Sequence, residues 1–459
     1  MVFSSVLFIY YFLPIVIIFY FIVPSKFKNF VLLLFSLIFY FLGEPKYVII
    51  LISSCLINYY LSKLLGKSKQ RKIVLFVAIS YNVIQLLVFK YIDFFITNLN
   101  NLFNLEYPLT YIIMPIGISF FTFQNLGYII DVYLKKHEPS NRLIDYMTYI
   151  CLFPQLIAGP IVRYIDIERD LKNRSNSYAK ISRGIKRFVI GLSKKVLIAN
   201  VLGEFVKLII TETVLASWIK PILFTLQIYF DFSGYSDMAI GLGYIFGFHF
   251  KENFNYPLIA NSITDFWRRW HISLSSWFKD YVYIPLGGSR VNKFKWFRNL
   301  FIVWFLTGFW HGANWNFILW GLYFFVILVI EKLFLHKYLD KTKVIKYIYT
   351  LFIVMLSFLI FSTDSISNIL LELKNMFFIS KIPFSDNVII YYLRSYMVNI
   401  IVSIICSTPL ISKIANKLKE GRLKKLYIFI EPLIYLGLLI LSTAFLIDAS
   451  FNPFLYFRF

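Results

Sequence analysis

The chain has 459 residues, 59% of them hydrophobic and only 15% charged. That apolar share is above the soluble norm and the charges are bunched, which excludes a single soluble globule and predicts a polytopic membrane protein. The net charge of +23 would suggest nucleic acid in a soluble protein. Here, however, basic runs such as Lys63, Lys67, Lys69, Arg71 and Lys72 lie between apolar segments, as cytoplasmic loops do, so no nucleic-acid partner is expected.

The opening residues lack a basic n-region and an A-x-A-like cleavage site, so the apolar run reaching Val23 reads as a permanent span. Helices are predicted over 6–23, 29–43, 46–65 and 73–95, punctuated by Pro24 and the Gly43-Glu44-Pro45 turn. A cytoplasmic 66–72 loop puts the N-terminus and the almost uncharged, Asn-rich 97–110 stretch outside, with a helix returning over 111–133. Ten Lys or Arg residues between Arg163 and Lys195 mark a cytoplasmic-face segment, and 144–162, with Pro154, Gly159 and Pro160, reads as a broken, re-entrant path. Further spans are predicted over 188–210, 221–248, 299–330 (broken), 345–362, 391–412 and 427–448, with Arg290 to Arg298 and Lys413 to Lys425 on the cytoplasmic face. There is no internal repeat. The expectation is one all-α membrane domain over 1–459: N-terminal helices to 110, a motif-bearing core over 111–316, and C-terminal helices beyond. The cysteines, Cys55, Cys151 and Cys406, are odd in number, show no metal spacing and read as small core residues.

Three stretches carry candidate chemistry. Residues 221–250 hold no Lys or Arg, yet include Gln227, Asp231, Ser233, Ser236 and Asp237. A carboxylate in hydrocarbon is costly unless it is paired or faces a wet cavity, so Asp231 and Asp237 are either structural partners of a distant cation or part of a site. Over 265–281 a helix would gather Trp267, Trp270, His271, Leu274, Trp277, Phe278 and Tyr281 on one face, leaving Arg268 and Arg269 away from it. That is an aromatic wall around a histidine, or an interfacial anchor. In Thr307-Gly-Phe-Trp-His-Gly-Ala-Asn-Trp-Asn316, His311 lies beyond the basic cluster by a rise of roughly 17 Å, near the middle of a core about 30 Å thick. Gly312 to Asn314 can break the helix there. Histidine suits removal of a hydroxyl proton near neutral pH, so the two, forty residues apart and both beside Trp, could act as base and orienting partner. A metal site is not expected, because the ligands lack workable spacing. A nucleophile elbow and a phosphate loop are absent from the sequence, which argues against a hydrolase or NTPase.

The stretches Pro115 to Gln124, Phe153 to Ile161, Tyr229 to Gly241, Asp265 to Gly288 and Gly308 to Asn316, with the ending Asn452 to Phe459, resemble the membrane-bound O-acyltransferase family in its bacterial alginate O-acetyltransferase-like branch. The first hundred residues share hydropathy alone. The resemblance implies a helical bundle with re-entrant helices around a central tunnel, where an acyl donor and a hydroxyl acceptor meet at a histidine. It implies His311 as that catalytic histidine and His271 as the second polar residue, with Asp231, Ser233, Asp237, Trp267, Arg268, Trp270, Trp310 and Asn314 binding substrate or supporting the site. It further implies a bacterial inner-membrane location and no tightly bound cofactor, with acetyl-CoA or another thioester as co-substrate. Its implied partners are membrane lipid, a polysaccharide or peptidoglycan acceptor, and an extracytoplasmic acetyltransferase protein. Members often carry an Arg-containing patch where this chain reads Phe358-Leu-Ile-Phe-Ser-Thr-Asp364, so the acceptor need not be alginate. The competing expectations are D-alanyl transfer from a carrier protein to teichoic acid, a transporter or flippase, and a scaffold with a degenerate site.

Overall fold

A computed structural model of the protein describes residues 2–157, 159–448 and 454–455. Residue 158 of the 153–161 stretch, and all of the 452–459 ending except Phe454 and Leu455, lie outside the described residues. Every regular element among those described is a helix. Six are long and apolar enough to cross a membrane: Ser25–Gly43, Val48–Lys67, Arg71–Phe103, Trp315–Leu339, Ile345–Ser362 and Lys424–Asp448. A seventh span is counted if Asn387–Ser395 and Met397–Cys406, bent by 56°, cross as one.

The spans predicted over 29–43, 46–65, 345–362 and 427–448 lie within a few residues of observed helices, whereas those over 6–23, 111–133, 188–210 and 221–248 fall on helices outside the six long and apolar enough to cross. The 73–95 helix runs on to Phe103 because Ile92, Phe95, Leu99 and Leu102 keep a three–four spacing through the Asn-rich stretch. Asn104, left-handed at φ 50°, then ends it. The helix predicted over 111–133 begins only at Ile118. Pro115 has no N–H to donate, and Gly117 holds φ 78° in a place where a Cβ would meet the Leu156 carbonyl oxygen at 2.6 Å. The 144–162 stretch is broken as expected, into Leu143–Cys151 and Phe153–Leu156.

The chain divides into two compact units, Met1–Phe188 with Tyr235–Glu252, and Val189–Gly234 with Asn253–Phe459. In the first, buried polar side chains bond one another between helices. Asn58 and Asn82 exchange amide bonds of 3.3 and 2.6 Å. Ser54 Oγ donates to Gln85 (3.1 Å) and accepts from Asn125 (3.2 Å), whose Oδ1 accepts from Tyr146 OH at 2.6 Å. Such bonds join apolar helices where burial alone gives no drive between helix and lipid. Cys55 and Cys151 are buried free thiols, their sulfurs 3.7 Å apart, and Cys406 is half-buried.

The second unit is organised by the Lys293–His311 and Trp315–Ile330 helices, an antiparallel hairpin. The two backbones touch. A Cβ on Gly308 would lie 2.4 Å from the Phe317 carbonyl oxygen, and one on Gly321 would lie 2.3 Å from that of Trp304. Small residues are what permit this approach.

Candidate active site

The helix predicted over 265–281 is interrupted at the histidine. Ile263–Arg269 ends with Trp270 extended, His271 sits at φ 43°, ψ 54°, and Ile272–Phe278 follows. The bond that would have continued the helix, from the Ser273 N–H to the Arg269 carbonyl, is replaced at both ends. Arg269 O accepts from Asn255 N (2.9 Å), and Ser273 N donates to Asn253 Oδ1 (3.1 Å). Ile272 N adds a bond to Asn253 O at 3.0 Å. One asparagine therefore stabilises a left-handed turn that a non-glycine residue adopts only at a cost.

The same asparagine sets the histidine's tautomer. Asn253 Oδ1 accepts from Ser273 Oγ (2.9 Å) and Ser273 N, and it lies 3.2 Å from His271 Nδ1. An acceptor oxygen there calls for a proton on Nδ1, which leaves Nε2 as the acceptor nitrogen. The turn lies outside the apolar spans, and complete burial holds the imidazole down to about 3, so it is neutral at physiological pH. The start of Ile263–Arg269 is held in turn by Glu331, whose carboxylate accepts from Ile263 N (2.7 Å), Thr264 N (2.9 Å) and Thr264 Oγ1 (2.6 Å).

His311 is the last residue of its helix, followed by extended Gly312 and by Asn314, whose side chain accepts from Trp315 N at 2.6 Å to start the next helix. It thus stands at a hairpin apex, and Asn314 caps the helix that follows. A side chain at position 312 would collide with the Phe317 ring at 2.2 Å. Three rings enclose the buried imidazole: Trp310 at 5.0 Å, and Trp320 and Phe361 edge-on at 4.8 and 5.3 Å between centroids. Trp310 also reaches His271, at 6.2 Å, and Phe232 closes on His271 at 4.6 Å. Both histidines therefore touch one indole. Trp267 packs on Trp304, Trp320 and Phe324, and Trp270 on Phe254, Phe266 and Phe358, so the wall around them is dry. The indole N–H groups of Trp267 and Trp320 are buried with no hydrogen-bond partner among the described residues.

The remaining expected residues divide. Asp231 pairs with the buried Lys195 ammonium and accepts from Leu455 N at 2.9 Å, while Lys195 also lies 4.7 Å from the Phe454 ring centre. Asp237 belongs to the other unit, where it bonds Arg187 at 2.6 Å, and Arg187 reaches Glu252 as well. The carboxylates are thus partners of cations, the structural alternative. Ser233 is buried, its hydroxyl without a partner among the described residues. Arg268 is exposed on the far side of its short helix and does not join the histidines. Asn253, Ser273, Trp320 and Phe361 were not foreseen, nor were Glu331 and Lys195. Glu331 had a signal, a lone carboxylate ending an apolar run; the others act across long sequence separations and had none.

A polar cavity of about 560 Å³ adjoins this wall. The Ile345–Ser362 helix turns Phe358 and Phe361 to the ring cluster, while Leu359, Ser362, Thr363 and Asp364 line the cavity with Gln227, Lys207, Lys220 and Glu372.

The sequence profile of the membrane-bound O-acyltransferase family matches residues 140–371, which contain both histidine turns. This chain belongs to the membrane-bound O-acyltransferase family. It is 39% identical to the probable alginate O-acetylase of Azotobacter vinelandii over 380 residues, 80% of this chain and 76% of that protein. It is 35% identical to the peptidoglycan O-acetyltransferase of Helicobacter pylori over 82% of this chain and 80% of that protein. Against the teichoic acid D-alanyltransferase of Bacillus subtilis it is 31% identical, over 56% of this chain and 71% of that protein. The protein is a multi-pass membrane O-acyltransferase.

Proposed function

We propose that the chain moves an acetyl group from a thioester, acetyl-CoA being the expected donor, to hydroxyls of a cell-surface or secreted polysaccharide or of peptidoglycan at the bacterial inner membrane. The observation that carries this reading is His311: a buried imidazole at a helix end, enclosed by Trp310, Trp320 and Phe361, in a chain that resembles O-acetylases over four-fifths of its length. His311 takes the proton of the acceptor hydroxyl as its oxygen attacks the thioester carbonyl carbon. A C–O bond forms, the C–S bond breaks, and the imidazolium returns the proton to the departing thiolate. The orphan N–H groups of Trp320 and Trp267 are donors for the oxyanion in between, where a dry wall makes each donor count for more than in water. Neutral His271, accepting through Nε2, holds the hydroxyl or a bound group in line. The adjoining cavity, whose cations are Lys207 and Lys220 instead of an arginine in 358–364, receives the acceptor sugar. Transfer onward by an extracytoplasmic acetyltransferase protein fits an acceptor polymer too large for that mouth.

The deciding experiment measures acetate released by mild alkali from envelope and secreted polymers of cells making wild type or His311→Ala at equal membrane levels, beside a deletion strain. Loss in the variant, down to the deletion strain, supports the reading, and the fraction that loses acetate names the acceptor. Equal acetate in variant and wild type, above the deletion strain, removes His311 as base; equality of all three removes acetyl transfer. Release of D-alanine in place of acetate selects the aminoacyl reaction.

A further inference from the structure

At the opposite end of the His311 helix, Lys293, Phe294, Trp296, Phe297, Arg298 and Phe301 form a groove of about 560 Å³ with Phe325 and Leu333 of the following helical segment. Its apolar surface is open: Phe294 is 81% exposed, and Phe297, Phe301 and Leu333 between 41% and 47%. Phe325 packs on Phe297 and Phe301 at 5.3 and 5.5 Å, giving a ring-lined channel along the helix pair. Every charged residue lining the groove is a cation. A third cation, Lys332, lies 5.8 Å from the Trp296 ring centre, and the exposed Arg268, which the histidine site does not use, acts on Lys332 through space. The neighbouring carboxylates are engaged elsewhere: Glu331 accepts from Ile263 and Thr264, and Asp265 pairs with Arg269.

An apolar channel capped by Lys293, Arg298 and Lys332, of which, among the described residues, only Lys332 feels a nearby carboxylate, Glu331, lies on the face that the positive-inside rule assigns to the cytoplasm and complements an anionic amphiphile. We infer that this groove is a binding site for one anionic phospholipid, its phosphate among Lys293, Arg298 and Lys332 and an acyl chain along Phe297, Phe301, Phe325 and Leu333. A zwitterionic lipid fills the channel equally well and loses the charge pairing. The inference is independent of the reaction assigned to His311.

Trp296 reports occupancy. The full chain is reconstituted in phosphatidylcholine bilayers containing a minor fraction of dibrominated phosphatidylglycerol or dibrominated phosphatidylcholine, and the Trp296 contribution is taken as the quenching lost in Trp296→Phe. Quenching of that contribution is expected at several-fold lower mole fraction of the anionic lipid, each ammonium adding roughly a fivefold preference. The Lys293→Gln/Lys332→Gln pair, which leaves Arg298 on Leu286 O and Asn299, should bring the two lipids close together. Equal quenching by both lipids in the wild type overturns the inference. So does a preference that the double substitution leaves undiminished, or one that persists undiminished in Trp296→Phe, since selection then lies elsewhere.

Discussion

The two histidine turns are built in different ways. His271 is held by hydrogen bonds: a strained left-handed residue, latched through Asn253 and backed by Glu331 under the preceding helix. His311 is held by contact: a helix end placed by the Gly308–Gly321 crossing and surrounded by rings. A latch fixes orientation and tautomer, whereas a crossing fixes position and keeps water out. That division suits an orienting group and a base, and it can be broken from either side.

The largest effect is expected at His311, the proposed base. His311→Gln keeps a hydrogen-bonding side chain but should lower acetyl transfer by roughly a thousandfold, measured as ester formation per unit of membrane protein. A transporter using His311 only as a hydrogen-bond partner would keep much of its flux in the same variant. Next comes the crossing: Gly321→Leu drives a side chain into the Trp304 carbonyl, and a destabilisation of about 3 kcal/mol or more is expected, read as lost thermal stability and lost accumulation. Trp320→Phe keeps a ring against His311 but removes the orphan N–H together with part of the indole; if that N–H supplies an oxyanion donor, turnover falls about a hundredfold, far more than the modest loss of thermal stability that the smaller ring brings. On the latch side, Asn253→Ala should lower turnover about tenfold to a hundredfold with little change in KM, because His271 loses its partner and its turn. The smallest effect is on pH dependence. The folded His271 stays neutral while the unfolded chain takes up its proton below roughly pH 6.5. Acid therefore favours unfolding between that pH and about 3, and His271→Gln should flatten that part of the stability profile.

What was legible in the sequence follows the same division. Apolar length marked the spans because it is a local property, and the break after His311 was readable because glycine and asparagine announce it. The Trp270–His271 break was not, since it depends on Asn253 and Asn255 taking over bonds from residues 14 to 20 positions away. Asp231 and Asp237 stood out as costly carboxylates, but only the fold shows Lys195 and Arg187 beside them, which turns a candidate binding pair into two separate braces. Arg268 was grouped with the site by the family resemblance, although a continuous helix already turned it away from the aromatic face, and the broken one leaves it exposed.

The Lys195–Asp231 brace also sets a clock. Asp231 meets its lysine within 36 residues of chain, but the backbone N–H that takes its second oxygen arrives 224 residues later, at Leu455. At about 5–20 residues per second, the ribosome delivers that donor roughly 10 to 45 s after the carboxylate. Through that interval a buried ion pair must sit in a half-made unit with one oxygen uncapped. The donor lies beyond the last helix, Lys424–Asp448, so a carboxylate made midway through synthesis receives its second partner from one of the final backbone groups of the chain.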